Sequence, residues 1–205
     1  MELNLTTERT ELPGDVRSFL DEADRRIERF QIEHHVPAFV PSDFVLTYAV
    51  LRALAAANVG GGNLFCEWGS GFGVVTCLAA MLDFDACGIE IDGDLVDSAE
   101  RLAADFDLPA QFVRGSFIPK GSDVRLEPGD GFSWLTTHGD EIQNEMELGP
   151  DDFNVIFAYP WPDEEQVIAD LFERHGGAGA ILVTYHSDGH MRFRRRPRHK
   201  KRLRT

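Results

Sequence analysis

The stretch that decides the fold is NLFCEWGSGFGVVT, residues 63–76. It begins with a short apolar run, 64–68, typical of a buried strand, and from Val74 onward the apolar residues continue as in a helix. Between the two runs lies a turn of small residues, Gly69, Ser70, Gly71 and Gly73. Because glycine has no Cβ, the backbone can turn sharply here and lie directly against a ligand. The stretch therefore predicts a strand, a ligand-binding turn and a helix in succession.

Short apolar runs alternate with helical patterns after this turn. We expect further strands at 86–91, 111–114, 154–159 and 180–185, and helices at 74–82, 95–106 and 163–175. This alternation predicts an α/β fold, a doubly wound and mainly parallel sheet with helices on both faces. Residues 119–152 fit the alternation poorly, and we expect a loop or small hairpin there with a short helix near 139–147.

Two helices are expected before the sheet. In the first, Asp15 is a candidate cap and apolar residues recur at helical spacing up to Phe30. The second follows Pro41, with Ser42 as a candidate cap, and extends to about residue 57. We therefore divide the chain into an N-terminal helical extension (1–40), a central domain (41–191) and a basic C-terminal tail (192–205). The sheet is expected to be short at its far edge unless 191–195 supplies a strand.

The charge of the chain is unevenly distributed. Its 205 residues include 20 Lys and Arg against 35 Asp and Glu, a net charge of −15. Nine of the 20 lie in RFRRRPRHKKRLR, residues 192–204, so the rest carries 11 basic against 35 acidic residues, or −24. Such a body repels polyanions. The tail could contact RNA, dock on the protein's own acidic surface, or remain a solvated end.

The cellular setting is indicated by what the sequence lacks. No apolar run reaches the length of a membrane span, and the acidic N-terminus has no apolar signal segment. Cys66, Cys77 and Cys87 lie in apolar stretches without metal-ligand spacing, as expected of reduced, buried thiols. We therefore expect a soluble cytoplasmic protein without a metal site or a membrane partner.

Two carboxylates flank the glycine turn. Glu67 precedes Gly69 by two residues, and Glu90 follows at the end of the next strand. A carboxylate at position 67 is a poor neighbour for a pyrophosphate, but it suits an ammonium and a nearby sulfonium. Glu90 can accept both hydrogens of a ribose diol. Val74 stands where a dinucleotide-binding turn has its last glycine, which argues against a nicotinamide dehydrogenase.

The combination of E-x-G-x-G-x-G (67–73) with GIEID (88–92) resembles the cofactor site of class I, Rossmann-like S-adenosylmethionine-dependent methyltransferases. The resemblance covers roughly residues 40–185 and implies S-adenosylmethionine as the cofactor. By it, Glu67 and 69–73 hold the methionine part, and Glu90 holds the ribose. The remaining residues that it assigns surround the adenine: Ile91 and Phe117 by packing, and Ser116 where many members have an aspartate.

A weaker resemblance involves AFVPSDF, residues 38–44, which is similar to the entry segment of small protein-lysine methyltransferases. It implies that Pro41 and Ser42 lie over the methionine end of the cofactor. The alternative is that these two residues form a turn and a helix cap.

The segment AYPWPDEE, residues 158–165, follows the fourth strand, whose end faces the transferred methyl group in the resembled superfamily. Tyr159 and Trp161 are the candidate catalytic residues, because they could form an aromatic wall around an amine or sulfonium. Asp163 and Glu164 could attract a cationic substrate, although Asp163 is also a plausible helix cap. The segment is also similar to the Pro-Trp-Pro segment of tRNA guanine-N7 methyltransferases, but Tyr159 stands where that family has an aspartate.

Three functions remain open on the sequence. The preferred one is N-methylation of an amine or a protein lysine, because the predicted entrance is acidic and aromatic. The second is RNA methylation guided by the basic tail. The third is a protein that binds S-adenosylmethionine without catalysis.

Overall fold

The computed structural model describes residues 11–34, 39–58, 60–119 and 148–198. Within them, one six-stranded sheet has the order β3-β2-β1-β4-β5-β6. The first five strands are parallel, and β6 runs antiparallel to β5. The strands are β1 (Leu64–Trp68), β2 (Asp85–Glu90), β3 (Gln111–Arg114), β4 (Val155–Ala158), β5 (Ile181–Tyr185) and β6 (Met191–Arg195). The predicted mainly parallel sheet is confirmed.

Helices cover both faces of the sheet. They are α1 (Gly14–Glu33), α2 (Phe44–Ala56), α3 (Val74–Ala80), α4 (Gly93–Asp105) and α5 (Glu165–His175), the last preceded by a 3₁₀ turn, Pro162–Glu164. Residues of α1 to α4 pack with Phe65, Phe157 and Val183 in one apolar core. Residues of α5 pack with the alternate strand positions, including Ile156 and Leu182, in a second core. Because helices pack on both faces of the sheet, the fold is doubly wound.

The two N-terminal helices join the main core. Phe19 of α1 packs edge-on against Phe106 with ring centroids 5.1 Å apart, and Arg26 Nη2 lies 2.6 Å from Asp105 Oδ2. The predicted caps are wrong in both helices. Asp15 lies inside α1, whose N-cap is Pro13, and Asp43 rather than Ser42 caps α2 by accepting the Leu46 N–H at 2.9 Å. Ser42 is thus left out of the helix cap.

The far edge of the sheet is completed by β6, so the alternative in which 191–195 supplies a strand is the one observed. The side chains of this strand partly neutralise the acidic body. Arg192 pairs with Glu165 at 2.8 Å, and Arg194 lies 3.6 Å from Glu173. The first part of the basic segment therefore docks on the protein's own acidic surface. Residues 199–205 lie outside the described chain.

The basic segment also leaves the sheet in a defined direction. Arg195 pairs with Ile181, at the amino end of β5, and the next residue exchanges backbone hydrogen bonds with residues 179 and 180. Arg196 also donates to the Gly176 carbonyl. The segment therefore emerges at the edge formed by the amino ends of the parallel strands.

Four further predictions concern residues 139–147, the cysteines, membrane spans and metal ligands. The helix expected near 139–147 lies outside the described residues. The three cysteines are buried and free. No described helix is long and apolar enough to cross a membrane. No group of three potential metal ligands occurs among the described residues.

Candidate cofactor and substrate site

A cavity of about 390 Å³ lies at the carboxyl ends of the parallel strands. It is lined by the turn after β1, the ends of β2 and β3, the loop after β4 and the segment that enters α2. This is the edge at which open α/β sheets bind ligands, and the volume is that of a typical small-molecule site. The site residues predicted from the sequence line this cavity, with the exceptions of Gly73 and Asp163.

The glycines of the turn have different surroundings. All three have a positive φ, +76° at Gly69, +52° at Gly71 and +76° at Gly73, which favours glycine. A Cβ on Gly69 would meet open space, whereas one on Gly71 would lie 2.8 Å from the Phe39 ring. A Cβ on Gly73 would lie 2.6 Å from Ala99 and Phe112. The structure thus places Gly69 and Gly71 beside the cavity and gives Gly73 a packing position.

Glu90 is held at the end of β2 by backbone donors. Its Oε2 accepts the Gly71 N–H at 2.8 Å, and its Oε1 accepts those of Ile91 at 2.7 Å and Asp92 at 3.0 Å. Burial nevertheless raises the pKa of this carboxyl above its ordinary value. The side chain is oriented before any ligand arrives, which is what recognition of a ribose diol requires.

Glu67 is buried more deeply, at 5% exposure. One oxygen, Oε2, accepts both the Thr76 hydroxyl at 2.6 Å and the Thr76 N–H at 2.9 Å. Burial raises the pKa of Glu67 to about 8 despite these hydrogen bonds. A cation beside the carboxylate would lower that pKa again. Glu67 is therefore suited to an ammonium group, and it would release a proton when one binds near neutral pH.

The predicted adenine end has one exposed and one stacked side chain. Ile91 is 37% exposed, and Phe117 stacks on Trp68 with ring centroids 5.3 Å apart and planes 2° apart. The Ser116 hydroxyl accepts the Ile118 N–H at 3.2 Å.

The segment before α2 covers the opposite end of the cavity. Pro41 and Ser42 both line it, together with Phe39 and Phe44. Phe39 lies over the glycine turn, where its ring packs on that of Phe72 with centroids 6.3 Å apart. Because Asp43 performs the capping, Ser42 is available to a ligand.

The loop after β4 forms an aromatic wall. Tyr159 packs edge-on against Tyr185 with ring centroids 4.8 Å apart, and Trp161 is 37% exposed. Burial raises the pKa of the Tyr159 hydroxyl. Glu164 is buried, lines the cavity and accepts the Trp161 N–H at 3.2 Å, whereas Asp163 is exposed. The two adjacent acids of this segment therefore have different environments.

Comparison with known proteins shows which proteins share this fold. No protein-family model and no curated protein matches the chain. An RNA methyltransferase from Salinibacter ruber, solved with S-adenosyl-L-homocysteine, matches with a TM-score of 0.55 and 18% identity, over 80% of this chain and 97% of that one. An O-methyltransferase from Bacillus cereus, solved with the same compound, matches with a TM-score of 0.54 and 12% identity, over 85% and 66%.

The chain has the fold of the S-adenosylmethionine-dependent methyltransferases. The two structures differ in the acceptor that their names state, RNA in one and an oxygen in the other. The shared fold therefore identifies no substrate for the present chain.

Some residues of the candidate site were not predicted. Thr76 holds Glu67, Tyr185 supports Tyr159, and Phe39 covers the turn. Each is distant in sequence from its partner or lies on another element, so no local pattern indicates it. A usable signal existed for Trp68 alone, since it lies between Glu67 and Gly69 in the central motif.

The charges around the cavity share one sign. Its lining contains no Lys, Arg or His among the described residues. Its acidic side chains are those of Glu67, Glu90, Asp92 and Glu164, and burial raises the pKa of the first two. A cationic ligand is therefore favoured over a phosphate by the described lining residues.

Proposed function

We propose that this chain is an S-adenosylmethionine-dependent methyltransferase that N-methylates an amine or a protein lysine. The observation that carries the proposal is the cavity. There the glycine turn, the Glu90 carboxylate and the aromatic loop after β4 meet, without a cationic side chain among the described lining residues. A sulfonium and an ammonium suit these surroundings, whereas a pyrophosphate does not.

The residues present fit this cofactor. The space beside Gly69 is one that a Cβ would fill, and the buried Ser70 hydroxyl has no hydrogen-bond partner among the described residues. That hydroxyl is buried against Gly88 of β2, so the open space beside Gly69 is the observation that fits the cofactor. Glu67 would hold the ammonium and Glu90 the ribose diol.

The other cofactor contacts follow from position. Ile91, Ser116 and Phe117 would surround the adenine, and Pro41 and Ser42 would cover the methionine end. When bound, S-adenosylmethionine would supply a methyl group on a sulfonium whose sulfur leaves as a neutral thioether, and an amine acceptor would first give up a proton to a carboxylate of the cavity or to solvent. Tyr159 and Trp161 would orient the acceptor and exclude water, which is most of the help such a transfer needs.

Ligand binding tests the cofactor. S-adenosylmethionine and S-adenosylhomocysteine should raise the melting temperature in proportion to the logarithm of their concentration, and NAD should leave it unchanged. Isothermal calorimetry gives the dissociation constants. Saturable binding of NAD, with no response to the two methionine-derived ligands, would refute the proposal.

Labelled methyl transfer tests catalysis and the acceptor. Incubation with methyl-labelled S-adenosylmethionine and a cell lysate, followed by separation of protein, RNA and small molecules, should place the label in protein or in small amines. Acid hydrolysis then identifies methyl-lysine. Cofactor binding without label in any fraction would instead support a non-catalytic binding protein.

RNA methylation is the second candidate. It is favoured by the basic segment 192–204 and by the name of the Salinibacter structure. Two observations weigh against it. Arg192 and Arg194 already pair with acids of the body, and the segment emerges at the edge of the sheet opposite the cavity. Label found only in RNA would promote this candidate.

A further inference from the structure

We infer that Arg195 and Arg198, at the amino ends of the parallel strands, bind the phosphodiester backbone of a single-stranded nucleic acid. We call these two residues the arginine anchor. The anchor lies at the edge of the sheet opposite the cofactor cavity, so a strand bound there does not occupy that cavity. The inference goes beyond the proposed function, because it requires neither the cofactor nor the transfer reaction.

A second cavity, of about 450 Å³, lies beside the anchor. Apart from Ile181 of β5, its described lining is the continuous segment from Phe193 to Arg198, with four arginines and no acid. The cofactor cavity has the opposite composition, with acidic side chains and without Lys, Arg or His in its described lining. The two cavities therefore attract ligands of opposite charge.

The arginines of this segment fall into two groups. Arg192 and Arg194 pair with acids of α5 at 2.8 Å and 3.6 Å, and Arg196 donates to a backbone carbonyl. Arg195 and Arg198 are exposed, and neither has an acid partner among the described residues. The charges of the anchor are therefore the ones that the fold leaves uncompensated and open to an external anion.

The fold also fixes where the two guanidinium groups lie. Arg195 belongs to β6 and pairs with Ile181 of β5. A Cβ on Gly61 would lie 2.7 Å from Arg198 Nη2, and one on Gly179 would lie 2.6 Å from its Nε. The two glycines thus leave the room that this guanidinium occupies. An anchor positioned before its ligand arrives loses less conformational entropy on binding.

Phosphates are the anions that suit this anchor. The planar guanidinium group binds phosphate oxygens through two parallel hydrogen bonds. A nucleic acid carries a phosphate at each nucleotide, and binding to fixed cations releases its condensed counterions. The chain outside residues 192–204 has a net charge of −24 and repels such a ligand. Binding is therefore restricted to the basic edge.

The salt dependence of binding tests the anchor. Fluorescence anisotropy of a labelled oligouridine of about 12 nucleotides is measured with the full-length protein at several concentrations of potassium chloride. The parent should bind saturably, with an affinity that falls linearly on a double logarithmic plot against salt. In Arg195→Gln combined with Arg198→Gln the slope should become shallower by about 1.4, or about 0.7 for each lost phosphate contact.

The matched control is Arg192→Gln combined with Arg194→Gln. It removes the same charge from the face of β6 that is paired with α5, and it should retain the parental slope. Lysine at 195 and 198 keeps both charges and should also retain it, which separates charge from packing. Arg195→Gln alone leaves Arg198 in place and should give half of the change. An unchanged slope in the anchor variants, or an equal change in the control, would overturn the inference.

Two further measurements test the kind of ligand and its location. A polyglutamate peptide of the same charge should compete with the oligouridine about tenfold more weakly than unlabelled oligouridine does. Equal competition would overturn the choice of a phosphodiester backbone. Trp161→Ala, at the cofactor cavity, should bind the oligouridine with parental affinity. A loss of affinity in that variant would place the strand in the cofactor cavity and overturn the separate anchor.

Discussion

Single residues show how burial sets the chemistry of the cavity. Glu67 and Glu90 both lie at strand ends, but Glu90 is surrounded by three backbone N–H donors while Glu67 is bonded to one threonine. The pKa of Glu67 rises to about 8 because burial disfavours its charge. Without a ligand it is therefore largely protonated at neutral pH.

This pKa makes cofactor binding depend on pH. An ammonium beside Glu67 favours the ionised carboxylate, so binding near pH 7 requires the carboxyl to lose its proton first. The affinity for S-adenosylhomocysteine should therefore rise with pH up to about 8, with proton release on binding. Calorimetry in buffers of different ionisation enthalpy measures the protons released. In Glu67→Gln the release should fall by most of a proton.

The control for this prediction is Asp94→Asn, which removes an exposed carboxylate from the first turn of α4. It should release as many protons as the parent. Proton release that is the same in the parent and in Glu67→Gln would show that the ammonium binds away from Glu67. In the protein without ligand, a rise in pH has the opposite effect, because it weakens the fold instead of strengthening binding. Because folding raises the pKa of Glu67 above 4.5, this carboxyl lowers the free energy of unfolding as pH rises from about 4.5 to about 8.

The glycine turn, as an element, borders the cavity at Gly69 and packs against the core at Gly73. Gly69 and Gly73 share a φ of +76°, so alanine at either site carries a similar backbone penalty of about 1–2 kcal/mol. The surroundings differ, since one Cβ would enter open space beside the cavity and the other would meet Ala99 and Phe112 at 2.6 Å.

The pair therefore forms a matched experiment. Gly73→Ala should lower the free energy of unfolding by about 1–3 kcal/mol more than Gly69→Ala, because it overpacks the core. Gly69→Ala should weaken S-adenosylhomocysteine binding while Gly73→Ala largely retains it. Urea denaturation and calorimetry measure the two effects. The reverse pattern, with binding lost only in Gly73→Ala, would mean that the ligand lies on the other side of the turn.

The same turn shows which features of the structure the local sequence predicts and which it does not. Periodic apolar runs predicted every strand from β1 to β5 to within a residue or two, because a parallel sheet buries both faces of its strands. The different surroundings of Gly69 and Gly73 were not predictable, since those of Gly73 depend on Phe112, about 40 positions away. Ser42 and Asp43 are equally good cap residues, and only the helix start distinguishes them. Glu164 and Asp163 are likewise alike in sequence and differ in burial.

The whole molecule separates its charges along the sheet. The acidic cavity lies at the carboxyl ends of the strands, and the basic segment leaves at the amino ends. At about 3.3 Å per residue, a five-residue strand separates the two edges by roughly 16 Å. Arg198, the last described residue of this segment, lies beside Gly179 at the amino-end edge.

Truncation of the basic segment tests this separation of charges, and the cut must lie beyond the end of β6. A chain ending at His190 loses the β6 partner of β5, the Phe193 packing and the Arg192–Glu165 ion pair. It should unfold at a lower temperature and aggregate through the exposed β5 edge. A chain ending at Arg198 should melt like the parent, because β6 and its contacts are retained.

The chain ending at Arg198 then decides between the two candidate functions. If the acceptor is an amine or lysine, this chain should transfer labelled methyl groups at the parental rate, because no described residue of the cavity is altered. If the acceptor is RNA held by the tail, transfer should fall steeply, and the parent should lose RNA affinity as salt is raised. Lys200→Gln combined with Lys201→Gln is the control of equal length, since it removes charge without removing residues. Label confined to RNA, and lost in both variants, would make N-methylation of an amine wrong. Label in protein that persists in both would assign acceptor recognition to the cavity.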